Sequence, residues 1–215
     1  MPKHDPSEKT KSEILETAKR LFLERGFENV NIEDIVKEIG VTRGAFYHYF
    51  RSREALIYAV IDGMFFEENP FEIALRQPGL NALEKLQFTF KLRPPTSPVV
   101  SEARAFQKVM ADPLIFKSEI FSQVSTVAPY VEKLLLAGNE DGSLSVKYPK
   151  QTAEILSLLS SIWLSPAVFQ VPWEEFIEKV NFFDHLTAQL GVPILDDESK
   201  TLILKRHDLY SRPDV

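Results

Sequence analysis

Apolar residues recur along this chain at intervals of three and four, the period of a helix with one buried face. Ile14, Leu15, Ala18, Leu21 and Phe22 form one such stripe and predict a helix over about 8–25. Thr10 and Glu13 stand at capping-box spacing, with Ser7 as a rival cap. Gly26 is placed to end this helix in a left-handed turn, which lets Phe27 fold back onto it. Ile35, Val36 and Ile39 predict a short second helix over 32–39. Asn31 caps it, Glu33 and Asp34 suit its positive end, and Gly40 terminates it. Thr42 caps a third helix over 43–49, and Ser52 a fourth that runs from Arg53 to about Glu68.

Prolines punctuate the rest. Pro98 after Ser97 and Pro113 after Asp112 each read as a cap followed by a first helical residue. Further helices are expected at about 79–92, 98–111, 113–136, 149–165 and 172–190, with a tail helix over 196–210. Asn139 to Ser143 reads as the clearest loop. No Asn-Gly or Asp-Gly pair sits between alternating apolar runs, so the pattern predicts an all-α fold.

Residues 155–173 (ILSLLSSIWLSPAVFQVPW) hold no charge over 19 positions, a marginal length for a membrane span. Four serines, a glutamine and Pro166 near the middle argue instead for a helix, a break and a second helix. The N-terminal MPKHDPSEKTK has charge without a following apolar run, which argues against a secretory signal.

Composition narrows the function. The 215 residues are 44% apolar and 26% charged, enough for a packed core. There is no cysteine, which excludes a disulfide scaffold, a cysteine nucleophile and a thiolate metal site, and fits a reducing cytoplasm. No phosphate-binding glycine loop, nucleophile elbow or HExxH is present, and His4, His48, His185 and His207 have no metal-ligand spacing. No enzyme, cofactor or metal site is therefore expected. The net charge of -6 argues against a simple polyanion binder. Its distribution still permits a small basic face on an otherwise acidic body. Residues 1–60 hold ten cations and ten acids, and within 37–53 four cations (Lys37, Arg43, Arg51, Arg53) face one acid, Glu38.

Residues 31–50, NIEDIVKEIGVTRGAFYHYF, are two short capped helices joined by a turn at Gly40. That is the helix-turn-helix arrangement, whose second helix enters the major groove of DNA. Thr42, Arg43, Tyr47, His48 and Tyr49 are polar-tipped, Gly44 and Ala45 are small enough for close approach, and Phe46 and Phe50 anchor the helix in a core. Arg51 and Arg53 flank the fourth helix, within reach of phosphates. Each has a plainer alternative: Tyr49 as a core aromatic, His48 as an idle surface group.

Residues 8–68 resemble the TetR family of bacterial transcriptional regulators. The resemblance rests on Ala18, Phe22, Gly26-Phe27, Asp34-Ile35, Gly40-Val41, the run Gly44 to Phe50, and Ser52-Arg53-Glu54-Ala55-Leu56. It implies a DNA-binding domain over 8–68, with its motif at 31–50, and a regulatory domain over 69–215 that binds an effector and dimerises. It also implies site roles. Arg43, with Gly44 and Ala45, lies nearest the bases. Tyr47 packs on a phosphate or thymine methyl. His48 and Tyr49 touch backbone or base edges. Thr42 and Arg53 hold phosphates, and Asn31 joins the DNA-facing set. Val30 stands where the family often has threonine, Glu33 at a position that can carry a phosphate contact, Ala45 for a frequent threonine and Arg53 for the commoner lysine.

Beyond residue 60 the chain carries twelve of its 16 phenylalanines. Phe65, Phe66, Phe88, Phe106, Phe116, Phe121, Tyr130 and Trp163 are candidates to line an apolar effector pocket. Arg104 and Lys108 read either as an anion site or as a solvated face. The family's last two long helices pair with a second subunit, and the broad apolar faces of 149–165 and 172–190 fit that use. Leu156, Ser160, Trp163, Phe176, Val180 and Phe183 are the candidate interface. The expected protein is a cytoplasmic homodimer on double-stranded DNA, a repressor released by an unidentified small molecule. The expected lever is the fourth helix, whose tilt sets the spacing of two recognition helices. The departures at Val30 and Glu33 leave open a helical ligand- or partner-binding protein whose DNA head is inactive.

Overall fold

A computed structural model of the chain describes residues 6–67, 69–92, 107 and 110–211. The chain divides into two compact units, one of Met1–Glu67 with Thr96–Ile115, the other of Glu68–Pro95 with Phe116–Val215. Among the described residues there is no strand, as the all-α reading requires.

The first unit is built on α1 (Pro6–Arg25), α2 (Ile32–Ile39), α3 (Arg43–Tyr49) and α4 (Arg53–Glu67). Its core joins Ile14, Ala18, Leu21 and Phe22 of α1 to Ile35, Phe46, Phe50, Leu56 and Val60. Gly26 has a φ of 82° but a ψ of 150°, so it leaves α1 in an extended glycine conformation rather than the expected left-handed turn. Phe27 does fold back and stacks on Phe22 at 4.8 Å. A 3-10 turn (Phe27–Asn29) follows. Ile115, only 3% exposed, joins this core from far along the chain, so a single cut at 68/69 does not describe the division.

The second unit begins with α5 (Pro70–Leu75), which the sequence pattern did not predict. Asn69 caps it, its Oδ1 accepting from Phe71 N–H at 2.9 Å, and Pro70 supplies the preset φ of a first helical residue. Then come α6 (Ala82–Lys91), α7 (Pro113–Ser122, whose residues up to Ile115 belong to the first unit), α8 (Ala128–Asp141), α9 (Pro149–Leu158), α10 (Trp173–Gln189) and α11 (Asp197–Ser211). The helix expected over 98–111 falls almost wholly outside the described residues.

Two π-helical turns interrupt the long helices, at Gln123–Val127 and Leu159–Trp163. The first precedes Pro129, which has no N–H and whose ring crowds the carbonyl four residues back; the wider turn makes room for it. The second ends at a turn containing Pro166, the break expected inside the uncharged stretch. Among the described residues no helix is long and apolar enough to cross a membrane.

The expected loop at Asn139–Ser143 is largely helix, since α8 continues through Asp141 to Gly142. Its polar residues serve tertiary contacts. The Asn139 side chain pairs with both backbone groups of Val146, at 2.8 and 2.9 Å, and Asp141 accepts from Ala82 N–H at 2.9 Å.

Candidate nucleic-acid interface

The helix pair α2–α3 is fixed by its caps. Asn31 Oδ1 accepts from Asp34 N–H, and Asp34 returns the bond to Asn31 N–H, both at 2.9 Å. Gly40 adopts φ 77° and ψ 26°, the left-handed conformation that glycine enters without a Cβ penalty, and its N–H bonds to Val36 O. Thr42 Oγ1 then accepts from Ala45 N–H at 3.1 Å and starts α3. Asn31 and Thr42 thus spend their side-chain oxygens on helix starts. Both remain exposed at the surface.

Within α3 only Phe46 is buried, at 0% exposure, beside Phe50 at 5.8 Å between ring centres. Arg43, Gly44, Tyr47 and His48 are exposed, Tyr47 by 46%. Ala45 is half-buried. So is Tyr49, which packs against the first core with its ring edge-on to His48. The core-aromatic reading of Tyr49 therefore has geometric support. A Cβ added at Gly44 would meet only Thr42 Oγ1, at 3.7 Å. Among the described residues nothing requires a glycine there.

Of the four cations in 37–53, Arg43, Arg51 and Arg53 have partners among the described residues, and Lys37 is exposed on α2. Arg43 Nη1 lies 2.6 Å from Glu33 Oε1. A hydrogen bond with the Tyr47 hydroxyl and the Glu33 charge hold its pKa above the ordinary arginine value. Arg51 Nη2 bonds to Asp112 at 2.8 Å. Arg20 pairs with Glu24 and Glu38. Arg53, expected on a phosphate, is instead turned inward. Its Nε donates to Val30 O at 2.9 Å and its Nη2 donates to Phe27 O. The turn between α1 and α2 leaves two carbonyls facing the start of α4, and a guanidinium is the side chain that reaches both. Val30 is 1% exposed and belongs to the core, so that position offers no side chain to DNA.

The second unit's candidate residues scatter. Phe88, Phe116, Tyr130 and Trp163 are half-buried, Tyr130 stacking on Phe71 at 5.8 Å. Phe121 is 63% exposed and points to solvent, so it does not line an interior. Phe106 and the side chains of Phe65 and Phe66 lie outside the described residues, as do Arg104 and Lys108. Of the interface candidates, Leu156, Phe176, Val180 and Phe183 are at most 3% exposed and build the unit's own core. Ser160 and Trp163 are half-buried. The exposed apolar positions lie one residue aside, at Ile155 on α9 (47%) and Phe182 on α10 (56%). Lys179 sits over Trp163 and Phe169, at 4.6 and 4.8 Å from the ring centres, and desolvation lowers its pKa. Phe182 widens the apolar stripe of 172–190 in the sequence, whereas Ile155 was not singled out there.

Residues 14–60 match the family model described as bacterial regulatory proteins, tetR family, and residues 99–186 match a tetracyclin repressor-like C-terminal domain. Curated relatives agree over the head. The transcriptional repressor NemR of Escherichia coli K12 is 39% identical over 62 residues, covering 29% of this chain and 31% of the relative. The regulator TtgR of Pseudomonas putida is 35% identical over 60 residues, covering 28% and 29%. These matches thus span less than a third of the relatives' length. Two solved structures share the fold: a TetR-family regulator from Pectobacterium atrosepticum (20% identity, 86% of this chain and 96% of that one, TM-score 0.53) and the repressor QsdR of R. erythropolis (18%, 87% and 97%, TM-score 0.53).

Proposed function

Because the chain belongs to the TetR family of bacterial regulators, whose members here are transcriptional regulators and not enzymes, we propose that it binds duplex DNA through α3 and regulates transcription as a ligand-responsive repressor. The observation that carries this is the exposure pattern of α3. One residue, Phe46, anchors the helix, while Thr42, Arg43, the bare Gly44, Tyr47 and His48 stand on its outer side. A seven-residue helix that buries one side chain fully, rests Tyr49 against the core and turns Arg43, Gly44, Tyr47 and His48 outward presents a face that can be read against a groove.

The protein acts as a homodimer. Arg43, Arg51 and Arg53 each have a partner within the chain, so one head grips phosphates weakly, and two heads on half-sites about 34–36 Å apart supply the affinity. Ile155 and Phe182 are among the exposed apolar positions available to pair subunits. A small, mostly apolar effector acts on the second unit and shifts the population of head spacings, releasing the operator. The protein works in the cytoplasm.

Selection of bound duplexes from a randomised library, followed by gel shift across salt, tests the reading. An enriched inverted repeat whose binding weakens as salt rises is the expected result. Absence of any enriched sequence would overturn the DNA-binding function.

A further inference from the structure

We infer that Glu33 is a specificity-determining residue: it holds Arg43 on the outer face of α3, so that the arginine reads a base edge instead of wandering to phosphates. The inference rests on the DNA-binding reading above.

Glu33 lies in the first turn of α2 and Arg43 in the first turn of α3, and the two meet across the motif's turn at 2.6 Å. Both side chains are more than half exposed, 55% and 60%, so the pair faces outward beside Gly44 and Tyr47. The first helix of a helix-turn-helix crosses the DNA backbone. A carboxylate there repels phosphates, and an affinity-driven design would not keep it. Its contact with Arg43 supplies a reason. Glu33 engages the guanidinium through Nη1, and arginine carries five N–H donors in a rigid fork. The remaining donors can meet the two acceptors that guanine shows in the major groove while the Glu33 contact persists. Reaching for a phosphate instead breaks the pair and leaves the carboxylate bare beside the backbone. Glu33 therefore penalises non-specific binding and spares the complex in which Arg43 reads a base.

The test compares the full chain with Glu33→Gln and Glu33→Asp, using the duplex enriched from a randomised library and a scrambled duplex of equal composition. In E33Q the scrambled duplex should bind about fivefold tighter at low salt. The ratio of the two Kd values should fall by about tenfold, with the lost discrimination concentrated at one base-pair position in each half-site. E33D, which keeps the charge but shortens the reach, should lose discrimination at the same base pair without the gain on the scrambled duplex. An unchanged ratio, a loss spread evenly over all positions, or wild-type discrimination in E33D would overturn the inference while leaving DNA binding intact. Failure to enrich any duplex would overturn both.

Discussion

Arg53 separates two accounts of the start of α4. On a phosphate its charge would matter; as a clamp its shape does. The structure gives it two acceptors, Val30 O and Phe27 O, whose residues are 1% and 5% exposed. Arg53→Ala leaves both carbonyls without the donor that satisfies them, at about 1–3 kcal/mol for each buried unsatisfied group. Because the arginine itself is only half-buried, water recovers part of this, and the expected loss is about 2–4 kcal/mol. Against a total stability of about 5–15 kcal/mol that is a large fraction. Arg53→Lys keeps the charge but has no planar fork to serve two carbonyls, so it should recover at most about half. Urea denaturation followed by circular dichroism gives the total, and amide exchange over α2 and α3 localises the change to the head. If R53A denatures like the wild type but loses DNA binding, and R53K restores that binding, Arg53 is a phosphate ligand and the clamp argument is wrong.

Three further outcomes are expected. Gly44→Ala should leave the thermal midpoint within about 2 °C, since its Cβ meets only Thr42 Oγ1 at 3.7 Å, yet weaken operator binding by about tenfold or more in a gel shift; an unaffected affinity would mean DNA does not approach there. Phe182→Glu, and separately Ile155→Glu, should shift the protein to monomer in sedimentation velocity, because each puts a charge at an exposed apolar position; an unchanged sedimentation coefficient would place the interface elsewhere. Asp196 should show in the acid limb of stability. Burial alone would raise its pKa, but the Lys91 ammonium at 2.6 Å and the Ser199 N–H at 2.8 Å hold it down to about 2, below the ordinary 3.8. A depressed carboxylate stabilises above its unfolded pKa and loses that contribution as pH falls from about 4 towards about 2. With the side chain 33% exposed, about 1 kcal/mol is expected after screening. Asp196→Asn should show this deficit in urea at neutral pH and converge with the wild type at about pH 2.

The head was legible because its signals are local. Asn31, Gly40, Thr42 and Ser52 each act within four residues of their own position, and all four perform the expected cap or turn. Where the fold of the head adds something the pattern did not show, at Arg53, the cause is distant in sequence. The fate of Arg53 depends on carbonyls 23 and 26 residues away. The same contrast explains the second unit. Asn139 and Asp141 have loop-forming character, and sequence spacing cannot disclose that Val146 and Ala82 would use them within a helix. Nor does periodicity say which of two adjacent apolar stripes a partner covers. Phe176, Val180 and Phe183 went to the chain's own core, leaving Phe182 outside.

The charge pattern carries the last step. A local excess of cations in 37–53 reads from sequence as a phosphate-binding face. In the fold three of those four cations are already spent, on Glu33, on Asp112 and on backbone carbonyls. A cation that must leave an internal partner contributes to DNA binding only the difference between the two contacts, so the salt dependence per head should be shallower than four free cations would give. What remains is shape and hydrogen-bond complementarity at a helix with one buried anchor. Such a surface discriminates well and binds weakly, and pairing two of them turns that discrimination into affinity.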